Sequence, residues 1–198
     1  MNNPVFLLGM RRSGTSLLRR LCNMAPGTEL LFEPHELWFA ITHSQIKRYE
    51  DEPLVKGVLE KFRKFCCTKR NAGFKYVFNP EIRAFEWPIL DKYYPEARYI
   101  FIRRKQRDTY RSYFDQDKKA VRGTVPSHIH RYFWTQFYAQ AERFVEANKD
   151  RSVLVEYEDL VLTKGGNLGQ VWKLLDTATI DVRPHIHFPS HWTEAEFD

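Results

Sequence analysis

The chain has 198 residues, of which 43% are hydrophobic and 15% aromatic. This much apolar material excludes a disordered chain and suits one folded domain over residues 1–198. Lysine and arginine number 31 against 25 aspartate and glutamate, and the resulting net charge of +6 favours anionic partners such as nucleotides or acidic glycans.

The cysteines and the apolar runs restrict the class of protein further. Cys22, Cys66 and Cys67 form neither a disulfide framework nor a C-x-x-C metal spacing. No run approaches the roughly 20 apolar residues that span a bilayer, and no basic segment precedes the first apolar run, residues 4–10. We therefore expect a cytoplasmic protein with no integral membrane segment.

Short apolar runs alternate with helical patterns along the chain, which is typical of β-α units and a mainly parallel sheet. The predicted strands cover residues 5–8, 29–32, 73–78, 97–102 and 152–157. The predicted helices cover residues 14–24, 53–67 and 132–148, and another begins near Arg107. Residues 183–192 show no clear period. The expected fold is an α/β three-layer sandwich with a mainly parallel central sheet, helices on both faces and a P-loop-like site.

The segment GMRRSGTSLL, residues 9–18, lies between the first strand and the first helix. Gly9 and Gly14 fit the phosphate-binding pattern G-x-x-x-x-G-K-S/T, but Thr15 occupies the lysine position and the cation is Arg12. Loop N–H groups and the helix N-terminus bind anions. Because the lysine and a clear Walker-B carboxylate are both missing, we keep an Mg-ATP-dependent kinase of P-loop type only as the alternative enzyme class.

This segment resembles the 5′-phosphosulfate loop, G-x-x-K/R-S/T-G-T/S-T/S-x-L, of sulfotransferases that use 3′-phosphoadenosine 5′-phosphosulfate (PAPS). Its motif style is closest to bacterial and Golgi-type carbohydrate and tyrosyl-protein sulfotransferases. The resemblance implies that Arg12 lies beside the bridging oxygen of the donor and takes part in catalysis. It implies a donor-binding loop made of Arg11, Arg12, Ser13, Gly14, Thr15 and Ser16. Many family members have proline where this chain has Arg11.

A second segment, IFIRRKQRDTYRSYF, ends the fourth predicted strand and enters a helix. It resembles the family's 3′-phosphate motif, R-N/D-P-x-D-x-x-x-S, with Arg104, Asp108 and Ser112 at the matching offsets. An arginine can make a forked, charge-assisted contact to phosphate. Gln106 replaces the usual proline, and Arg103 competes with Arg104 for the phosphate-binding position.

The segment VLVEYEDL, residues 153–160, resembles the family's strand followed by Y-E-D-L. The resemblance places Tyr157 near the adenine of the donor. A core or capping tyrosine is an equally good interpretation of this residue, since tyrosine is common at strand ends.

The acceptor is expected at the carboxyl end of the second strand, where the sequence reads LLFEPHELW. A carboxylate in a partly dry cleft suits removal of a hydroxyl proton, and Glu33 is the first residue beyond the apolar run. The segment EPH also resembles the E-x-H segment of glycosaminoglycan sulfotransferases. We assign Glu33 as the base, His35 as its helper and Glu36 as its rival, and the resemblance brings Lys75 towards the transferred group.

The predicted reaction moves a sulfuryl group from PAPS to an acceptor hydroxyl and leaves adenosine 3′,5′-bisphosphate (PAP). The acceptor class stays open between carbohydrate, tyrosyl and other alcohols or phenols, and no metal is expected. A non-catalytic polyanion-binding module is the alternative outside enzymes. We expect no nucleic-acid partner, because the basic and aromatic cluster at residues 131–134 has helical spacing that favours a core position.

Overall fold

The computed structural model describes residues 3–34, 53–78, 88–119 and 125–187. The described strands are β1 (Val5–Met10), β2 (Thr28–Phe32), β3 (Asn71–Phe78), β4 (Arg98–Arg103) and β5 (Ser152–Glu156). The described α-helices are α1 (Thr15–Cys22), α2 (Pro53–Cys66), α3 (Pro88–Tyr93), α4 (Gln106–Lys119), α5 (Ser127–Ala147), α6 (Tyr157–Leu162) and α7 (Gly169–Leu174). Two 3₁₀ turns cover Gly166–Leu168 and Arg183–His185.

All five predicted strands are present, and the differences lie at their ends and in the helices. The fifth strand ends at Glu156, because Tyr157 begins α6 and does not continue the strand. Helix α5 begins at Ser127, five residues before the predicted start, directly after the extended residue Pro126. Its first turn is polar apart from one residue, so apolar periodicity does not reveal it. The short helices α3, α6 and α7 were not predicted.

The strands form one parallel sheet in the order β2-β3-β1-β4-β5. After β1 the chain continues towards β2 on one side, whereas after β4 it continues to β5 on the other side. Ligands of open α/β sheets bind where neighbouring strands send the chain in opposite directions, beyond their carboxyl ends. The crevice between the ends of β1 and β4 is therefore the expected ligand site.

Alternate residues of the strands face two separate cores, one on each side of the sheet. On one face, side chains such as Phe6 and Phe101 pack against α2, α3 and α5. On the other face, side chains such as Leu7 and Ile102 pack against α1, α6 and α7. The predicted three-layer α/β sandwich is thus confirmed.

The cysteines are free thiols, and burial raises the pKa of both Cys22 and Cys66 to about 12. Within the described ranges, no helix combines the length and the apolar character that a membrane crossing requires.

Phe6 tests the packing of the larger aromatic core. It is fully buried and its ring lies within 6.0 Å of the rings of Phe62, Phe74, Tyr94 and Tyr99, measured between centroids. We expect Phe6→Ala to lower the free energy of unfolding by about 3–5 kcal/mol, because it leaves a cavity among these rings. Urea denaturation measures the change. Tyr132→Ala, at a position 59% exposed, is the control and should cost well under about 1 kcal/mol.

Candidate active site

The glycine loop turns sharply between β1 and α1. Arg12 has a φ of 72° and Gly14 a φ of 95°, both in the left-handed region. The N–H of Ser13 donates to the carbonyl of Met10 at 3.1 Å, which closes the turn. The hydrogen bonds of helix α1 begin with the Leu18 N–H, which donates to the Gly14 carbonyl at 3.1 Å. The N–H groups of the first turn of α1 precede these hydrogen bonds and face the crevice end of the sheet. The loop therefore presents main-chain donors to an anion.

Gly14 is needed for close packing as well as for its φ angle. A Cβ atom built on Gly14 would lie 2.3 Å from Cδ2 of Tyr157, so no larger residue fits without displacing that ring. The structure thereby places Tyr157, from the third matched segment, directly against the glycine loop.

The three hydroxyl residues of the loop differ in accessibility. Ser13 and Thr15 are buried, whereas Ser16 is exposed. A Cβ atom on Gly9 would lie 2.6 Å from the Ser13 hydroxyl, which shows that this side chain turns back under the loop towards β1. Ser16 is therefore the hydroxyl of the loop that a ligand can reach in this conformation.

Arg104 follows β4 and reaches the loop from the other side of the crevice. Its guanidinium lies 4.9 Å from the ring centroid of Tyr157, and Nη1 donates to the carbonyl oxygen of Arg12 at 3.3 Å. The side chain is only 7% exposed, and its buried Nε has no hydrogen-bond partner. No described carboxylate forms an ion pair with it. The Glu158 carboxylate interacts with Arg104 electrostatically but forms no ion pair with it. Because a buried cation without a directly paired carboxylate is unfavourable, this arrangement suits an anionic ligand.

Arg103, the competing arginine, is paired with carboxylates of the protein. Its Nε and Nη2 bond both carboxylate oxygens of Glu156 at 2.5–3.1 Å, and its Nη1 pairs with Glu142. These carboxylates raise the pKa of Arg103 above its ordinary value. Since this charge is already compensated, Arg104 is the better candidate for a phosphate ligand.

The turn that carries Arg104 is fixed through its main chain. The indole N–H of Trp134 donates to the Arg104 carbonyl at 3.1 Å. The Lys105 N–H donates to Glu158 Oε1 at 3.0 Å, and burial raises the pKa of the Glu158 carboxyl. Neither the contact of Trp134 nor that of Glu158 was predicted. In the sequence, an aromatic residue such as Trp134 on a helix indicates only core packing.

Arg12 and Ser112 connect the two matched motifs. The Nε of Arg12 donates to the Ser112 hydroxyl at 3.0 Å, across 100 positions of the chain. Arg11 is directed elsewhere: its guanidinium lies 5.1 Å from the ring centroid of Tyr113, and its N–H donates to the carbonyl of Phe78. Asp108, the third residue of the second motif, lies in the first turn of α4.

Glu33, Lys75 and Ser16 form a second cluster, on the β3 side of the loop. Lys75 Nζ lies 2.5 Å from Glu33 Oε1 and donates to the Ser16 hydroxyl at 3.2 Å. The Lys75 side chain is 2% exposed, whereas that of Glu33 is 36% exposed. Burial lowers the pKa of Lys75, and the neighbouring Glu33 carboxylate opposes part of this shift.

The position of Glu33 follows from the end of β2. Its φ of 39° lies in the left-handed region, and its N–H donates to the Lys75 carbonyl at 3.2 Å. Non-glycine residues with positive φ are uncommon and concentrate at functional sites. His35 and its neighbour Glu36, which the sequence suggested as helper and rival of Glu33, lie outside the described residues.

Comparison with solved structures shows that this fold is the one found in sulfotransferases. The sulfotransferase domain of the Synechococcus PCC 7002 olefin synthase is 18% identical, with a TM-score of 0.67 over 95% of this chain and 78% of that one. The Alicyclobacillus acidocaldarius sulfotransferase is 14% identical, with a TM-score of 0.60 over 90% and 82%. Mouse sulfotransferase SULT7A1, solved in complex with PAP, is 17% identical, with a TM-score of 0.61 over 93% and 62%.

The sequence itself carries the family signal. The sequence model of the Sulfotransferase family matches residues 58–181, more than half of the chain. The chain therefore belongs to the sulfotransferase family, and the protein is a sulfotransferase enzyme. Lys75, Arg104, Ser112 and Tyr157 lie inside the matched range, whereas the glycine loop and Glu33 precede it. The comparison with curated proteins found no match.

Gly14→Ala tests the packing of the loop against Tyr157. The added Cβ would both strain the positive φ and displace the ring, so we expect affinity for PAP to fall by about tenfold or more. Isothermal titration calorimetry measures this affinity. Gly57→Ala is the matched control, because a Cβ there meets nothing within 4 Å. An unchanged affinity in Gly14→Ala would contradict the close packing of Gly14 against Tyr157.

Proposed function

We propose that this sulfotransferase moves a sulfuryl group from PAPS to an acceptor hydroxyl, with Glu33 as the general base. The acceptor is a carbohydrate, a tyrosyl residue or another alcohol or phenol. The observation that carries the proposal is the juxtaposition of two cationic groups at one crevice. Arg12 belongs to the glycine loop after β1, and Arg104 follows β4. Nη1 of Arg104 donates a hydrogen bond to the Arg12 carbonyl and so joins the two.

The residues fit a nucleotide that is phosphorylated on both sides of its ribose. The loop N–H groups and the exposed Ser16 hydroxyl suit the 5′-phosphosulfate. The buried Arg104 guanidinium, whose Nε lacks a partner, suits the 3′-phosphate together with Ser112. Tyr157 lies between these groups, in contact with both Gly14 and Arg104, and offers a ring face to the nucleoside.

In this proposal the second cluster activates the acceptor. The donor, when bound, supplies the sulfuryl group and a bisphosphate leaving group. Glu33 accepts the proton of the acceptor hydroxyl while the oxygen of that hydroxyl attacks sulfur, in line with the leaving oxygen. Lys75 pairs with the Glu33 carboxylate at 2.5 Å and donates to Ser16 of the loop, so it connects the base directly to the donor site.

Charge stabilisation is the second contribution of these residues. As the bond between sulfur and the bridging oxygen breaks, negative charge grows on the phosphate that leaves. Arg12 and the loop N–H groups stabilise this charge, with Lys75 close to the same loop. Such fixed donors require no reorganisation during the reaction, which makes them more effective than water.

Arg104→Ala tests the 3′-phosphate site. We expect the variant to lose about 10- to 100-fold in affinity for PAP, because a charge-assisted contact to phosphate disappears. Its affinity for 5′-AMP, which lacks the 3′-phosphate, should barely change. Arg107→Ala removes an equal charge from an exposed position three residues along the chain and is the matched control. Equal losses for both nucleotides would contradict the assignment of Arg104.

Glu33→Gln tests the base. We expect kcat to fall about 10²- to 10⁴-fold in assays with a labelled donor, while affinity for PAP stays unchanged, because the amide cannot accept the hydroxyl proton. Glu29→Gln is the control, since Glu29 lies on the same strand and pairs only loosely with Lys69, at 3.9 Å. A kcat of Glu33→Gln close to that of the wild type would remove Glu33 from the base role.

A further inference from the structure

Helix α5 contacts the crevice through two aromatic side chains that carry polar groups. Trp134 and Tyr138 are four residues apart and therefore lie on the same face of the helix. Their ring centroids are 4.9 Å apart. Neither side chain belongs to the matched motifs, yet each bonds to the main chain at the carboxyl end of the sheet.

Tyr138 lies at the point where β1 and β4 separate. The register that joins these strands ends with Gly9 opposite Ile102. Beyond this pair, the Met10 N–H donates to the Tyr138 hydroxyl at 3.2 Å, and that hydroxyl donates to the Ile102 carbonyl at 2.8 Å. In a parallel ladder an N–H donates directly to a carbonyl of the neighbouring strand. Here a side-chain hydroxyl joins the two groups, so Tyr138 bridges the strands where the crevice opens.

The bridge is buried and specific. Tyr138 is 1% exposed, and burial raises the pKa of its hydroxyl above the ordinary value for tyrosine. Phenylalanine at this position would fill the same space but leave the Met10 N–H and the Ile102 carbonyl without this partner. An unpaired buried group costs more than the net value of a hydrogen bond, so the strand ends would shift to find new partners.

Trp134 fixes the other side of the same crevice. Its indole N–H donates to the carbonyl of Arg104 at 3.1 Å, and the Arg104 guanidinium has an unpartnered Nε. Tyr138 holds Met10, at the start of the glycine loop, and Ile102, two residues before Arg104. One helix face therefore contacts both halves of the crevice.

We propose that Trp134 and Tyr138 are positioning residues that set the distance between the glycine loop and Arg104, and so create the preference for a nucleotide phosphorylated at both the 3′ and 5′ positions. This inference rests on the proposed function, because it takes the loop and Arg104 as the two phosphate sites. A ligand with two phosphates gains affinity only when both sites are correctly spaced, whereas a ligand with one phosphate uses either site alone.

The test compares affinities for PAP and 5′-AMP in the wild type, Tyr138→Phe, Trp134→Phe and the control Tyr132→Phe. Isothermal titration calorimetry gives the ratio of the two dissociation constants for each protein, and thermal melting is followed in parallel. Tyr132→Phe removes a hydroxyl from the same helix at an exposed position. We expect Tyr138→Phe and Trp134→Phe each to reduce the preference for PAP on the order of tenfold, and the control to retain it.

The outcomes separate this inference from the proposed function. A wild-type protein that binds both nucleotides equally would overturn the proposed donor site, and the inference with it. A wild-type preference that both variants retain would overturn the inference alone, even if their melting temperatures fall. If Tyr138→Phe does not fold, Trp134→Phe decides the question, because its indole bond concerns only the turn of Arg104.

Discussion

The buried positive charge of Arg104 is the constraint on which the crevice depends. Its guanidinium lies against Tyr157 with an unpartnered Nε, while the adjacent Arg103 is satisfied by Glu142 and Glu156. Two consecutive arginines at the end of one strand thus have different surroundings. Arg103 holds β4 to β5 and α5, whereas Arg104 faces the crevice as the proposed ligand of an anion. The contacts of Trp134 and Glu158 fix the turn between β4 and α4, so that the Arg104 guanidinium stays directed at the glycine loop.

The cluster of Glu33, Lys75 and Ser16 places the proposed base beside the same loop and outside the proposed contacts to the donor. Lys75 lies on β3, between β2, which Glu33 directly follows, and β1, which leads into the loop. A buried lysine in the middle of a sheet needs a partner, and Glu33 provides it at 2.5 Å. The strand order therefore determines which groups meet, and two elements separated in sequence by some 40 residues form one proposed reaction centre.

Much of this organisation could be predicted from the sequence, because it depends on local patterns. The strands are short apolar runs, and the glycine loop has a recognisable spacing of glycine and hydroxyl residues between a strand and a helix. Contacts between elements that are far apart in the sequence could not be predicted in this way. Motif offsets favoured Arg104 over Arg103, but the pairing of Arg103 with carboxylates on β5 and α5 is visible only in the structure. The role of Tyr138 depends on where β1 and β4 separate, which only the tertiary structure shows. The predicted start of α5 was wrong, because the polar first turn of this helix lacks apolar periodicity.

The most direct measurement is transfer of a sulfur label from PAPS to a panel of sugar, tyrosyl-peptide and phenol acceptors, in the presence of a metal chelator. Parallel reactions contain excess PAP, and others contain labelled ATP in place of the donor. We expect labelled product with at least one acceptor class, and loss of that product when PAP competes for the crevice. Tight binding of PAPS without transfer to any acceptor, or transfer of phosphate from ATP that stops on chelation, would contradict the proposed sulfuryl transfer.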